Sequence, residues 1–335
     1  MTNSNKNNQK KGPKMVKTAK TLFPYSGSKY KYEEQLQNVA SKLEVTKVDT
    51  YIEPFAGSLG SFFHMSKKIE AKRYFINDIN PRITNIYIQI KENPEEVAKA
   101  YANLEIFFQS LLPKCVKPGL VKKELRHLME DARDFYLSVR AYINGAPLSA
   151  KHAAAMIFVL NHNFNGLYGE SKKKSEFNIS FNWNSRRIKF IGIVKLIREM
   201  HAFFIKKNVE ITTMDVFALL KKHNNPDTFI YLDPPYIDNR ITYVSNGFNI
   251  SLQNQMELLH MTNKYKYVMY SNHTHEAFEG FFDEHINFYR TNKISSAKNE
   301  RKKSEIMAYK INVNTASINN SSFSKVKRLS EKKVA

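Results

Sequence analysis

Four consecutive residues, Asp233-Pro234-Pro235-Tyr236, carry the most specific chemistry in the chain. They follow the apolar run Phe229 to Leu232, which reads as a buried strand. Asp233 is therefore delivered to the carboxyl edge of a sheet, where open α/β sheets bind ligands. The two prolines remove two backbone donors and stiffen the turn, leaving carbonyl oxygens to accept hydrogen bonds. Tyr236 sets a flat ring beside those acceptors. Acceptors next to a stacking face suit a planar base amine, which donates both hydrogens while its ring lies on the aromatic side chain. Asp and Pro also make ordinary strand-ending turns, so the tetrad gains meaning only with partners elsewhere.

Glu53-Pro54-Phe55-Ala56-Gly57 ends another apolar strand. Glycine there lets the backbone approach a ligand, and the helix that follows presents unpaired N–H groups to a carboxylate or phosphate. Asp78, 25 positions after Glu53, closes the next strand, where a carboxylate can grip ribose hydroxyls or simply cap the helix at Asn80-Pro81. Pro24-Tyr25-Ser26-Gly27-Ser28-Lys29 offers a tight turn, an aromatic ring and one cation.

The elements that must position these residues are legible in the apolar pattern. Strands are expected at Thr50 to Phe55, Arg73 to Asn77, Val209 to Thr213, Phe229 to Leu232, Lys266 to Tyr270, and near residues 286–289 and 305–311. Helices are expected from Ser61 to Ile69, from Pro81 with Ile83, Ile86, Tyr87 and Ile90 on one face, and from Pro94 after an Asn93 cap. Asp215 and Ser251 cap two more. From Pro94 to about Lys207 the pattern is almost wholly helical, with one stripe through Val97, Tyr101, Leu104 and Phe108 and another through Leu125, Leu128, Ala132, Phe135 and Val139. Residues 164–187 interrupt it, alternating aromatic and polar residues around a lysine-rich centre, as a hairpin or extended loop does. Alternating strands and helices at both ends, with a helical block between, predict an α/β doubly wound sheet carrying an insertion.

The 335 residues carry a formal net charge of +21, which attracts polyanions through phosphate contacts that release counterions. Nucleic acid is the leading partner class. Residues 1–20 and 314–335, rich in Asn, Ser and Lys, read as disordered basic tails. Cys115 is the only cysteine, so no internal disulfide forms, and no Cys/His cluster has zinc spacing, so no metal is expected. No stretch has the roughly 20 apolar residues of a membrane span, and the N-terminus lacks the apolar segment of a secretory signal. An intracellular, cytoplasmic location is the expectation.

Together the motifs resemble the deoxyadenosine-methylase (Dam-like) family of DNA adenine-N6 methyltransferases. Its parts occur in order: the aromatic–glycine–lysine loop, E-P-F-A-G, N-D-I-N-P with a helix and N-P-E-E, F-N-G-L-Y with a downstream E-F-N, and D-P-P-Y. The resemblance runs from about Phe23 to Tyr309. It implies a Rossmann-like methyltransferase sheet in residues 21–92 and 208–313, a mainly helical target-recognition insertion with a hairpin in 93–207, and S-adenosylmethionine as cofactor. By this likeness Tyr25 and Lys29 close over the cofactor, Glu53, Phe55 and Gly57 flank its methionine part, and Asp78 holds its ribose. Asp233 then lies between cofactor and target amine, with Pro234, Pro235 and Tyr236 forming the pocket of an adenine extruded from double-stranded DNA. Lys172, Lys173, Lys174, Arg186 and Arg187 are expected on phosphates, with Asn165, Tyr168 and Asn178 among the DNA-contacting residues of the hairpin.

Two positions depart from the family pattern. Leu59 stands where a small residue is usual after Gly57, with Gly60 following at once, and Gly169-Glu170 follow F-N-G-L-Y where arginine is usual. The second departure leaves open whether this chain reads the family's best-known recognition sequence. Methylation of RNA adenine, methylation of cytosine N4, and a catalytically silent DNA-binding protein of the same fold stay open as alternatives, as does a restriction-endonuclease partner.

Overall fold

The computed structural model describes residues 21–113, 122–171, 175–185, 188–237, 248, 251–278, 280–290 and 303–312. In chain order its elements are α1 (Glu33–Lys42), β1 (Lys47–Glu53), α2 (Gly60–Met65), β2 (Glu70–Asn77), α3 (Pro81–Glu92), α4 (Pro94–Leu111), α5 (Lys122–Leu128), α6 (Glu130–Gly145), α7 (Ala150–His162), α8 (Phe190–Lys206), β3 (Val209–Thr212), α9 (Val216–Lys222), β4 (Thr228–Leu232), α10 (Leu252–Met261), β5 (Tyr267–His273), β6 (Glu284–Arg290) and β7 (Lys303–Ile311).

One seven-stranded sheet runs β3-β2-β1-β4-β5-β7-β6. The first five strands are parallel, and β7 lies antiparallel to both β5 and β6. This is the doubly wound sheet that the alternating strands and helices predict. Every residue of β4 is buried, as a central parallel strand covered on both faces requires. The strand order reverses at β1, whose neighbours are β2 and β4 with Ile52 beside both Phe75 and Ile230. At such a switch point the connections leave in opposite directions and open a crevice at the carboxyl ends. Glu53 ends β1 there, and Asp78 and Asp233 directly follow β2 and β4.

The helical block from α4 to α8 stacks on α3, with α4 against α7 and α8 and α6 against α7. Its apolar side chains share one buried cluster with β1, β2 and α2. The predicted stripe from Leu125 to Val139 divides into α5 and α6 at Met129, whose φ of −109° and ψ of 7° leave the helical region. The expected helix at Ser61 to Ile69 stops at Met65, where a tight turn brings the Lys68 and Ile69 amides onto the Met65 carbonyl. Between α7 and α8 the chain is extended, as anticipated. Its pairing among the described residues is confined to two antiparallel bridges, Asn163 with Phe181 and Glu170 with Phe177. Helix α1 was not anticipated.

Candidate active site

The turn after β1 is fastened from three sides. Asn77, the last residue of β2, donates to the carbonyls of Pro54 (3.1 Å) and Met214 (3.0 Å) and accepts from Thr212 Oγ1 (2.8 Å) and the Met214 amide (2.9 Å). Its own carbonyl accepts from the Ala56 amide at 2.8 Å. One buried amide thus ties the ends of β1, β2 and β3 together. Asp78 comes next, its carboxylate accepting from the Gly57 amide and the Asn80 amide, both at 3.0 Å. Burial pushes the Asp78 carboxyl up, against the pull of those two amides. Tyr87 reaches back from α3 to donate to the Gly57 carbonyl at 2.6 Å.

Gly57 has φ +46°, and a Cβ there would meet the Tyr25 ring at 3.2 Å. The loop carrying Tyr25 therefore lies on the turn itself. Leu59 adopts φ +59° with its side chain fully buried, a left-handed conformation unusual for a branched residue. The close approach falls one position later, because a Cβ on Gly60 would come within 2.6 Å of the Tyr30 amide nitrogen. The departure at Leu59 is thus local: the small residue needed for contact is Gly60, against which the Ser28–Tyr30 backbone packs.

Glu53 points behind the turn. Its carboxyl accepts from Tyr51 Oη and from Ser61 Oγ (2.8 Å), and burial raises its pKa to about 8. At neutral pH it is therefore largely protonated.

Asp233, just past β4, accepts from the Lys29 ammonium at both carboxylate oxygens, at 2.6 and 2.7 Å. Lys29 is itself buried, donates to the Gly27 carbonyl at 3.1 Å, and lies 5.0 Å from the Tyr236 ring centroid. The following turn is held by a buried polar cluster. Gln255 donates to the Pro235 carbonyl (2.8 Å), Asn272 accepts from the Ile237 amide (3.0 Å), and His273 Nδ1 contacts the Ile237 carbonyl (2.7 Å). Tyr236 donates to Glu305 at 3.3 Å and sits edge-on to the His273 ring at 4.9 Å. Beyond β3 an aromatic group joins Phe55 to Phe248 (5.5 Å) and Phe248 to Phe217 (6.0 Å).

Residues 25–297 match the D12 class N6 adenine-specific DNA methyltransferases. The chain belongs to this family. Among its relatives are the type II methyltransferase M1.LlaDCHI of Lactococcus lactis subsp. cremoris, 26% identical over 270 residues, which cover 75% of this chain and 83% of that protein. The type II methyltransferase M.MjaIII of Methanocaldococcus jannaschii is 27% identical over 221 residues (65% and 69%). A DNA adenine methylase of Vibrio cholerae is 25% identical over 248 residues (71% and 74%).

In this adenine-specific DNA methyltransferase the structure gathers Tyr25, Lys29, Phe55, Gly57, Asp78, Asp233 and Tyr236 around one crevice, with Glu53 buried behind it. The residues expected on DNA are placed less uniformly. Asn165, at φ +58°, and Asn178 are exposed. Tyr168 is buried, with its hydroxyl on Glu170 (2.8 Å) and its ring 6.3 Å from that of Tyr25. Lys172, Lys173, Lys174, Arg186 and Arg187 lie outside the described residues, as does Cys115. Sequence reasoning missed Asn77, Gln255, Asn272, His273 and Glu305, which act through other residues and carry no local signature. Asn77 stands directly before Asp78, and its place at a strand end was the one available hint. Among the described residues no cluster of His, Cys, Asp and Glu could hold a metal, and no helix is long and apolar enough to cross a membrane.

Proposed function

We propose that this enzyme moves the methyl group of S-adenosylmethionine to N6 of an adenine turned out of double-stranded DNA, at Asp233, without a metal. The single observation that carries this reading is the convergence of Asp233, the Gly57 turn and Asp78 at the switch point of the sheet.

The residues present fit that cofactor. Asp78 offers carboxylate oxygens to ribose hydroxyls, the Glu53–Gly57 turn and the loop with Tyr25 flank its amino-acid part, and Phe55, Phe217 and Phe248 supply apolar ring faces for its adenine. When bound, the cofactor supplies an electrophilic sulfonium methyl. The chain's own contribution is placement of the nucleophile. The lone pair of the adenine amine is delocalised into its ring. Hydrogen bonds from its two N–H groups to the Asp233 carboxylate and the Pro234 carbonyl favour a pyramidal nitrogen aimed at the methyl. Fixed acceptors and proximity then supply the catalysis, with no covalent enzyme intermediate. Tyr236 stacks on the extruded base.

Lys29 now holds the acceptor that the amine needs. The incoming amine must displace the ammonium from at least one Asp233 oxygen, so Lys29 keeps the site satisfied until the base arrives. The helical block, residues 93–207, together with its extended segment, is the part that meets the duplex.

Mass spectrometry of nucleosides from DNA and RNA incubated with protein and labelled S-adenosylmethionine tests this reading. N6-methyladenine in DNA, undiminished by chelator and absent with Asp233→Ala, is the expected result. Methylated RNA, N4-methylcytosine, or turnover retained by Asp233→Ala would each overturn part of it. Calorimetry should show that the protein binds the cofactor before DNA is added.

A further inference from the structure

The segment that departs most from the family pattern is also held by an unusual ion pair. Glu170, on the stem of the extended loop, is buried, with its side chain 4% exposed. The stem is closed by the Asn178 amide on the Gly169 carbonyl (3.2 Å) and the Ser171 amide on the Glu176 carbonyl (2.8 Å). Glu170 accepts from Tyr168 Oη at 2.8 Å and from Arg82 Nη1 at 2.8 Å. Arg82 lies in the first turn of α3, four residues past Asp78, and the same Nη1 also donates to the Ser175 carbonyl at 3.1 Å. Among the described residues the hydrogen bonds of this guanidinium therefore fall on one nitrogen. Among the described residues Nε and Nη2 make no hydrogen bond, and the Arg82 side chain keeps 17% of its surface exposed.

We propose that Arg82 is a base-reading residue, presenting its Nε/Nη2 edge to a guanine in the major groove. This inference rests on the reading of the chain as a DNA adenine methyltransferase. Three observations support it. A planar pair of parallel donors matches two acceptors side by side, and guanine offers O6 and N7 in that arrangement, the commonest specific contact in protein–DNA interfaces. The fork is pre-organised, because a buried carboxylate and a backbone carbonyl hold its far nitrogen, whereas an arginine serving a phosphate needs no such brace. The location also suits a reader, because packed groups lead from the crevice to Arg82. Tyr25 lies on the Gly57 turn, its ring is 6.3 Å from that of Tyr168, and Tyr168 bonds Glu170. The guanine would thus stand within the same duplex segment as the extruded adenine. Glu170, in the stretch that departs from the family pattern, becomes the brace for an arginine supplied by α3.

The experiment is methylation of a duplex library with randomised positions around the target adenine, sequenced for methylated sites. The variants are Arg82→Lys, which keeps the charge but not the fork, and the paired neutral variant Arg82→Met/Glu170→Gln, which avoids an unpaired buried carboxylate. Both are checked for wild-type melting and cofactor binding. The expected result is loss of preference at one G·C pair, by about ten- to a hundredfold, with preference at other positions retained. An unchanged base profile in both variants would overturn the proposal. So would a uniform loss on every sequence with a salt slope reduced by about one, the mark of a phosphate contact. A wild-type protein that methylates no DNA would instead overturn the functional reading, so the two failures are told apart.

Discussion

At the scale of the residue, two carboxyl groups at these strand ends stand in opposite circumstances. Asp233 faces an ammonium and stays an acceptor, while Glu53 is buried behind the turn and titrates near pH 8. A folded-state pKa raised from 4.5 means that the native state binds the proton more tightly than the unfolded chain. Its contribution to stability is fully present below pH 4.5, declines as pH rises, and is lost above about 8. Glu53→Gln keeps the contact with Ser61 without the titration. We expect the melting temperature of wild type to fall more steeply than that of Glu53→Gln between pH 5 and about 8.5. Parallel curves would show that Glu53 is ionised in the folded protein at neutral pH.

At the scale of the element, the extended segment is anchored to the helical block by a buried relay. Glu105 on α4 accepts from Tyr101 Oη (2.9 Å) and contacts His162 Nε2 on α7 (2.9 Å), and His162 Nδ1 lies 2.6 Å from Ser185 Oγ. The Glu105 and His162 side chains are both fully buried. Removing one member of a buried pair leaves its partner uncompensated, at roughly 3–5 kcal/mol, whereas replacing both with apolar residues is often neutral. Glu105→Ala should therefore destabilise by that order in urea unfolding, and Glu105→Leu/His162→Leu should recover most of the loss. If the double variant also loosens site selection, the relay through Ser185 positions the segment that follows α7. A double variant that loses as much as Glu105→Leu and His162→Leu added together would show that the pair is uncoupled.

For the whole molecule, the net charge of +21 is divided between a folded middle and two lysine-rich ends. Neutralising Lys172, Lys173 and Lys174 together should weaken binding to every DNA sequence. Each lost phosphate contact should shallow the slope of log affinity against log salt by about one unit. Cofactor affinity should stay unchanged, because Asp78 and Lys29 belong to the sheet crevice. Should deletion of residues 1–20 and 314–335 remove most DNA affinity while the triple variant removes none, the lysine run carries no binding.

The amino-acid sequence by itself determined the strands, their buried character and the motifs at their ends. Those features are local: an apolar run of four or five residues, a proline pair, or an N-cap is complete within a few positions. It also determined the family, because the motifs keep one order. Partnerships between distant residues were decided by the tertiary structure alone. Lys29 and Asp233 are 204 positions apart, and nothing in either motif says that the cation of the first occupies the acceptor of the second. Asn77 reads as one more polar residue until three strand ends converge on it. Leu59 reads as a defect in the turn until Gly60 is seen to make the close contact. Arg82 and Glu170, 88 positions apart, become a unit only where α3 meets the extended loop. Hydrophobic periodicity is set by each element's own geometry, whereas hydrogen-bond partners of buried polar groups are chosen by packing.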